Sequence, residues 1–421
     1  MLCKLASNQG SRSVEEQNHA LPTSVDVAIV GAGVAGCSIA YQLAKRGKSI
    51  AVFDRRGICS GASGRNGGIT GTGSALHATA GEAIAALTGE NFRMLQDELS
   101  RELDDDFSLM VTGGIDVATN DEQAAFLKQA VIHQQAAGTD VEWLDSREAR
   151  ELIPALSDSI LGVEWKRNSG HLWPFQLVHA LANGSRHYDT RFITHTEVKR
   201  VLMDGNQVTG LETEHGSVEA GAVVIATNAW TRDLLPDLPD GAIVPARGQI
   251  LVTQPVGQIL PMPFSTNYDK EYGRQTHSGQ ILCGGFRRLD VDEGLGLFTE
   301  DSHTPAIGGI AHCLSTIFPK LRDLRVVRTW SGLMGFTADG LPMIGSYGDR
   351  SGLFVAAGFN GGGFSYSLAT GKAMAQLVAN GRSTLDIEPF DPNRFARGDA
   401  GWENPFTAGE RNNPGKLSLD A

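Results

Sequence analysis

Cysteine is scarce: the 421 residues hold 5, namely Cys3, Cys37, Cys59, Cys283 and Cys313. They are odd in number and widely spaced, and no pair has zinc-ligand or redox-motif spacing. A disulfide framework is excluded, no metal is expected, and the simplest location is the reducing cytoplasm. No apolar run approaches the ~20 residues that span a bilayer, so no membrane association is expected. Basic residues are in deficit, with Lys+Arg 36 against Asp+Glu 48 and a net charge of −12. Without a basic cluster, nucleic acid and anionic lipid are poor partners. There is no Ser/His/Asp signature and no internal repeat. Residues 1–24 lack the apolar stretch of a secretory signal, and Glu15 and Glu16 argue against a transit peptide. They read as a flexible tail, as do residues 391–421, which are rich in Pro, Gly, Asn and charge.

What is present is the making of a globular core. Hydrophobic residues are 41% and charged residues 20%, enough for two or three domain-sized units. The 51 glycines fall in a few clusters. Val25 to Val30 reads as a buried strand, followed by a glycine turn, a helix to about Arg46 stopped by Gly47, and a strand from Ser49 ending at Asp54. Residues 82–103, 121–137, 173–188 and 304–317 read as helices. Residues 193–203 and 207–213 read as a hairpin turning at Asp204-Gly205-Asn206. Ala222 to Ala226 and Leu353 to Ala357 are continuous apolar strands of the kind buried in a parallel sheet. Further strand signals lie at Leu109 to Val117, Gly248 to Thr253, Gln280 to Gly284 and Arg325 to Trp330.

Gly31-Ala32-Gly33-Val34-Ala35-Gly36 fits G-x-G-x-x-G between a strand and a helix. Gly31 permits the tight turn, Gly33 lets a pyrophosphate approach the backbone, and Gly36 lets helix pack on strand. The helix start offers N–H groups and a positive dipole end to phosphates. Asp54 closes the second strand, placed to accept from ribose hydroxyls, and Arg55 and Arg56 follow, so NADP is not excluded by this unit alone. Next comes the small-residue loop Ser60 to Gly68, where Arg65 and Asn66 offer donors to a flat or anionic ligand. A late cluster, Gly358-Phe359-Asn360-Gly361-Gly362-Gly363, opens a helix from about Ser365 to Val378. An NAD-dependent dehydrogenase explains neither of the last two.

Across residues 25–390 the chain resembles the D-amino-acid-oxidase-type family of FAD-dependent oxidoreductases. The likeness rests on GAGVAG with Asp54, GASGRNGG, AVVIATNAW at 222–230, PARGQI at 245–250, WSGLMGFTADGLPMIG at 330–345 and AAGFNGGGFSYSLATG at 356–371. GASGRNGG with YGRQTHSGQILCGG at 272–285 is most similar to the gamma-glutamylputrescine-oxidase-like branch, beside glycine and sarcosine oxidases. The resemblance implies an α/β (α+β) fold, a discontinuous Rossmann-type FAD-binding domain with an inserted antiparallel-sheet substrate domain. The expected FAD-binding segments are 25–80, 155–240 and 330–390; the substrate segments are 81–154 and 241–329.

The same resemblance assigns roles. Gly31, Gly33 and Gly36 would hold the FAD pyrophosphate and Asp54 the adenosine ribose, with Val34, Ala35 and Arg55 as further cofactor-binding candidates. Ser60, Ala62, Ser63, Arg65, Asn66, Gly67, Gly68 and Ile69 would line the flavin side. Val198 would meet the adenine through its backbone, and Thr227, Asn228 and Trp230 would pack near the ADP portion. Gly358, Asn360, Gly361, Gly362 and Gly363 would present N–H groups to the flavin pyrimidine, where a helix start suits the charge of the reduced ring, and Gly335 and Phe359 are further cofactor-binding candidates. The implied reaction oxidises a C–N bond of a primary or secondary amine: hydride passes to flavin N5, the imine hydrolyses, and oxygen is reduced to hydrogen peroxide. A quinone or other acceptor in place of oxygen, or a non-catalytic flavin-binding assembly protein, remain alternatives.

Met334 stands where glycine-oxidase-like members carry an arginine that grips the substrate carboxylate. A thioether cannot replace a guanidinium fork. This favours an amine, a polyamine derivative or an N-methyl compound, with Arg274 or Arg287 as possible carboxylate partners. The substrate-side candidates are Tyr268, Tyr272, Arg274, Phe286, Trp330, Met334 and Phe336, an aromatic set suited to a cation. There is no Cys within 329–345 and no His within 55–75, so FAD is expected to be held non-covalently. The oligomeric state is left open.

Overall fold

Among the described residues, two eight-stranded sheets hold most of the strands. The computed structural model describes residues 21–72, 81–266 and 271–398. Tyr268 and most of both tails lie outside them.

The first sheet is built on parallel neighbours. Ser24–Val30 lies between Gly216–Ile225 and Ile50–Asp54, and Arg191–Thr194 extends the sheet beyond Ile50–Asp54. On the other side Leu353–Ala357 runs parallel to Gly216–Ile225, and Met343–Ser346 closes the edge antiparallel. Alternate residues of the central strand feed two cores. Val27 and Ile29 pack under the helices Val34–Ala44, Pro174–Arg186 and Gly363–Asn380, while Ala28 and Val30 meet Val223, Ile225 and Leu211 on the opposite face. A strand buried on both sides must be apolar at every position, which is why this run shows no alternation. The first and last helices touch closely: a Cβ on Gly371 would sit 2.0 Å from the Ser38 hydroxyl.

The second sheet has the order Val326–Thr337, Ile243–Pro255, Gln280–Gly284, Tyr272–Gln275, Phe264–Ser265, Gly114–Ala118, Gly162–Lys166, Val141–Asp145. Every pairing is antiparallel except that of Phe264–Ser265 with Gly114–Ala118. Helix Thr304–Ile317 covers it through Ile310, Cys313, Leu314 and Ile317, with Phe264 edge-on to Phe318 at 4.9 Å. This is the expected α/β arrangement of a Rossmann-type domain beside an antiparallel one.

Several boundaries differ from expectation. Gly162–Lys166, placed by the sequence in the nucleotide-binding segments, pairs with Gly114–Ala118 in the second sheet. Val326–Thr337 carries the second sheet past residue 330, because its whole length pairs with Ile243–Pro255. Helix Gly81–Arg93 belongs with the first core, where Ile84 and Leu87 are buried. The expected strand 193–203 is two strands: Arg191–Thr194 pairs with Ile50–Asp54 and Val198–Asp204 with Gln207–Thr213. Between them His195 takes φ +54 and its N–H bonds the Arg56 carbonyl at 2.9 Å. The start of the expected C-terminal tail is anchored, since buried Arg394 donates to both Asp339 oxygens at 2.7 and 3.0 Å.

Candidate functional site

The glycine turn after the first strand is dictated by space. Gly31 has φ +111, and a Cβ there would meet the Ala226 carbonyl oxygen at 2.4 Å. A Cβ on Gly36 would lie 1.9 Å from the Gly31 carbonyl oxygen, so any side chain would lift the helix off the turn. Gly33, the residue preceding the helix, offers its N–H groups no side-chain cap. The Ser63 hydroxyl, from the next glycine loop, accepts from Val34 N–H at 2.9 Å. The other N–H groups of that first turn have no partner within the helix and suit an anion. Asp54 accepts from Ala32 N–H at 2.9 Å and Arg56 N–H at 2.8 Å, so its carboxylate props the turn as well as facing the cleft.

Two asparagines join the distant loops. Asn228 has φ +48 and its Oδ1 accepts from Gly358 N–H at 3.1 Å. Asn360 has φ +49, is 2% exposed, and its Oδ1 accepts from Thr337 N–H at 3.0 Å. Its Nδ2 donates to the Gly358 carbonyl at 2.6 Å and its own N–H to the Gly335 carbonyl at 3.1 Å. The late glycine cluster is thereby tied to both sheets.

Together these turns enclose a cleft of about 490 Å3 that runs between the sheets. All the cofactor-side candidates line it except Gly36, Gly335 and Gly358, which pack closely against the Gly31 carbonyl, the Asn228 side chain and the Thr337 side chain respectively. Trp230 stands at the wall with the Arg55 guanidinium 4.4 Å from its ring centre. Two residues expected to donate to a ligand are committed to the protein. The Asn66 amide donates to the Ala62 and Ser63 carbonyls at 3.0 and 2.7 Å, locking the loop. Arg65 donates to the Ser331 carbonyl at 3.1 Å.

Of the substrate-side candidates, Tyr272, Met334 and Phe336 line the cleft. Arg274 does not. Its guanidinium donates to the Gly67 carbonyl, reaches the Leu172 carbonyl at 3.4 Å and meets His171 Nδ1 at 3.3 Å. It braces the glycine loop against the second sheet, and burial draws its pKa down to about 10. Phe286 is fully buried against Gly309 in the core under the second sheet, and the Trp330 indole donates to the Arg65 carbonyl at 3.1 Å. Neither lines the cleft.

Sequence reasoning missed an ionic end of the same cleft. Asp116 and Lys166 line it as a pair at 2.7 Å, with Glu271 nearby in the lining. Asp116 faces Glu164 across neighbouring strands, and burial pushes the Glu164 carboxyl up to about 7. Single acids in short strands carry no signal until strand pairing brings them together. Arg287, weighed above as a carboxylate partner, also lines the cleft, 4.6 Å above the Phe336 ring centre; burial lowers its pKa to about 10.

The FAD dependent oxidoreductase family called DAO matches residues 26–377. The chain belongs to the DAO family of FAD-dependent oxidoreductases. It is 30% identical to a glycine oxidase of Geobacillus kaustophilus over 88% of this chain and 97% of the relative. It is 27% identical to a sarcosine oxidase beta subunit of Arthrobacter over 89% of this chain and 92% of the relative. Among solved structures, L-proline dehydrogenase from P. horikoshii superposes with a TM-score of 0.80 at 29% identity, covering 90% of this chain and 99% of that one. This DAO-family chain is therefore an FAD-dependent oxidoreductase. The first-turn N–H groups beyond Val34 at the start of helix Val34–Ala44, the forced glycines and the long shared cleft fit the cofactor. Among the described residues, no helix is long and apolar enough to cross a membrane.

Proposed function

We propose that the protein oxidises the C–N bond of a primary or secondary amine (an amine, a polyamine derivative or an N-methyl amino acid) and returns the electrons to oxygen as hydrogen peroxide. FAD, held non-covalently among the glycine turns that line the cleft, would supply the two-electron chemistry of the oxidation. The chain supplies shape and charge. Met334 carries the substrate reading. It lines the cleft between two glycines: a Cβ on Gly248 would meet its Cε at 2.9 Å, and one on Gly361 its Sδ at 3.5 Å. A thioether there gives an α-carboxylate no bidentate grip. Arg287 keeps its charge at neutral pH and lines the same cleft, so a carboxylate set apart from the reacting carbon has a partner. Burial raises the Tyr272 phenol above its usual range, so at physiological pH it is a neutral donor in the wall and not a base. A substrate amine that arrives unprotonated needs no base from the protein.

Anaerobic flavin bleaching against a panel tests this reading. Gamma-glutamylputrescine, a polyamine or an N-methyl amino acid should bleach the flavin faster than glycine or proline. Fastest bleaching by a small α-amino acid would overturn the inference from Met334. The likeness to a proline dehydrogenase favours a second reading in which a quinone or similar acceptor replaces oxygen. Stopped-flow reoxidation of the reduced enzyme by oxygen separates the two.

A further inference from the structure

Residues 290–303 lead from the second sheet toward the opposite wall of the cleft. Their base is fixed to the second sheet. Arg247 donates to the two Asp290 oxygens at 2.8 and 2.6 Å and to the Thr299 hydroxyl at 2.7 Å, and Gly296 N–H bonds the Pro245 carbonyl at 3.0 Å. Their far end rests on the nucleotide-binding side. The Glu300 carboxylate reaches Arg56 at 3.0 Å and Arg65 at 2.9 Å, and Phe298 leans on Trp230 at 6.2 Å. Arg56, Arg65 and Trp230 all line the cleft. One carboxylate from one sheet's connection thus holds two arginines that stand 9 positions apart on the other side.

We propose that this segment is a strap across the FAD cleft and that Glu300 is its latch, a cofactor-positioning residue that holds Arg56 and Arg65 and slows FAD release. The magnitudes suit a latch. Both ion pairs are partly exposed, with Glu300 25% and the arginines 33% and 29% accessible, so they are weak enough to open and are screened by salt. Phe298 is 51% exposed, so its contact with Trp230 does not lock the strap shut. The Arg247–Asp290 base is buried and stays closed. This inference rests on the FAD cofactor and not on the amine substrate.

The test is the rate at which holoenzyme releases FAD after dilution, followed by the gain in flavin fluorescence. Glu300→Gln should release FAD about tenfold faster at low salt, the effect of losing two partly exposed ion pairs. Wild-type release should quicken with added salt until it meets the variant, a convergence that a general loss of stability would not produce. Phe298→Ala, a change at an exposed side chain, should also quicken release but keep the wild-type salt dependence. Equal release rates for wild type and Glu300→Gln, or a gap that persists at high salt, would overturn the latch.

Discussion

Replacing Asn360 with alanine should unmake the join between the two sheets. The side chain is 2% exposed and hydrogen-bonds the Thr337 N–H, the Thr337 hydroxyl and the Gly358 carbonyl. Removing it leaves the Thr337 N–H and the Gly358 carbonyl without these partners in a buried place, at about 1–3 kcal/mol each. The φ of +49 adds about 1 kcal/mol, since alanine tolerates the left-handed region less well than asparagine. The total, about 3–7 kcal/mol, is a large share of the roughly 5–15 kcal/mol that holds a domain folded. Urea denaturation of the apoprotein should show the midpoint fall, and FAD titration by fluorescence should show weaker binding. Asn360→Gly separates the terms, because it relieves the backbone but restores no bond, and should recover only about 1 kcal/mol. If Asn360→Ala loses less than about 1 kcal/mol and binds FAD as tightly as wild type, the join is not where the stability of the site resides.

Gly36→Ala forces a Cβ to 1.9 Å from the Gly31 carbonyl oxygen, and should weaken FAD binding by about 1–3 kcal/mol in the same titration. Met334→Arg restores a carboxylate fork and should raise the rate of anaerobic flavin reduction by glycine about tenfold or more, while the amine rates fall. His171 is neutral in the fold, with its pKa lowered to about 4 chiefly by burial and next by the Arg274 charge. A histidine depressed below its unfolded value of about 6.5 removes stability as pH falls from about 6.5 to about 4, up to about 3 kcal/mol in all. Chemical denaturation across that range should show the loss, and His171→Asn should flatten it.

The parts of this molecule that were legible in its sequence are those set by local backbone. The βαβ unit with Gly31, Gly33 and Gly36, the helix Thr304–Ile317 and the strand Leu353–Ala357 each follow from glycine placement or from apolar periodicity within a few residues. The glycine-rich turns that meet at the cleft were legible for the same reason, while its ionic end at Asp116, Lys166 and Glu271 was not. What could not be read were choices made between distant segments. Gly162–Lys166 carries no mark of which sheet it joins, and the turn at His195 exists because two flanking runs find different partners. Arg274 and Phe286 sit in motifs beside the substrate wall, yet one guanidinium is spent on carbonyls and one ring on the core under the second sheet. An arginine in a strand, or a phenylalanine just after one, looks the same whether it faces a cleft or a neighbour. The grip of Glu300 on Arg56 spans 244 positions, and no local pattern announces it.

A crystal structure of the yellow holoprotein bears most directly on the whole account. The isoalloxazine should lie in the cleft among Gly67, Tyr272 and Met334, with the turn from Gly358 to Gly363 at its pyrimidine edge and the diphosphate at the start of helix Val34–Ala44. A flavin bound elsewhere, or a cleft filled by side chains with that turn drawn away from the ring, would contradict it.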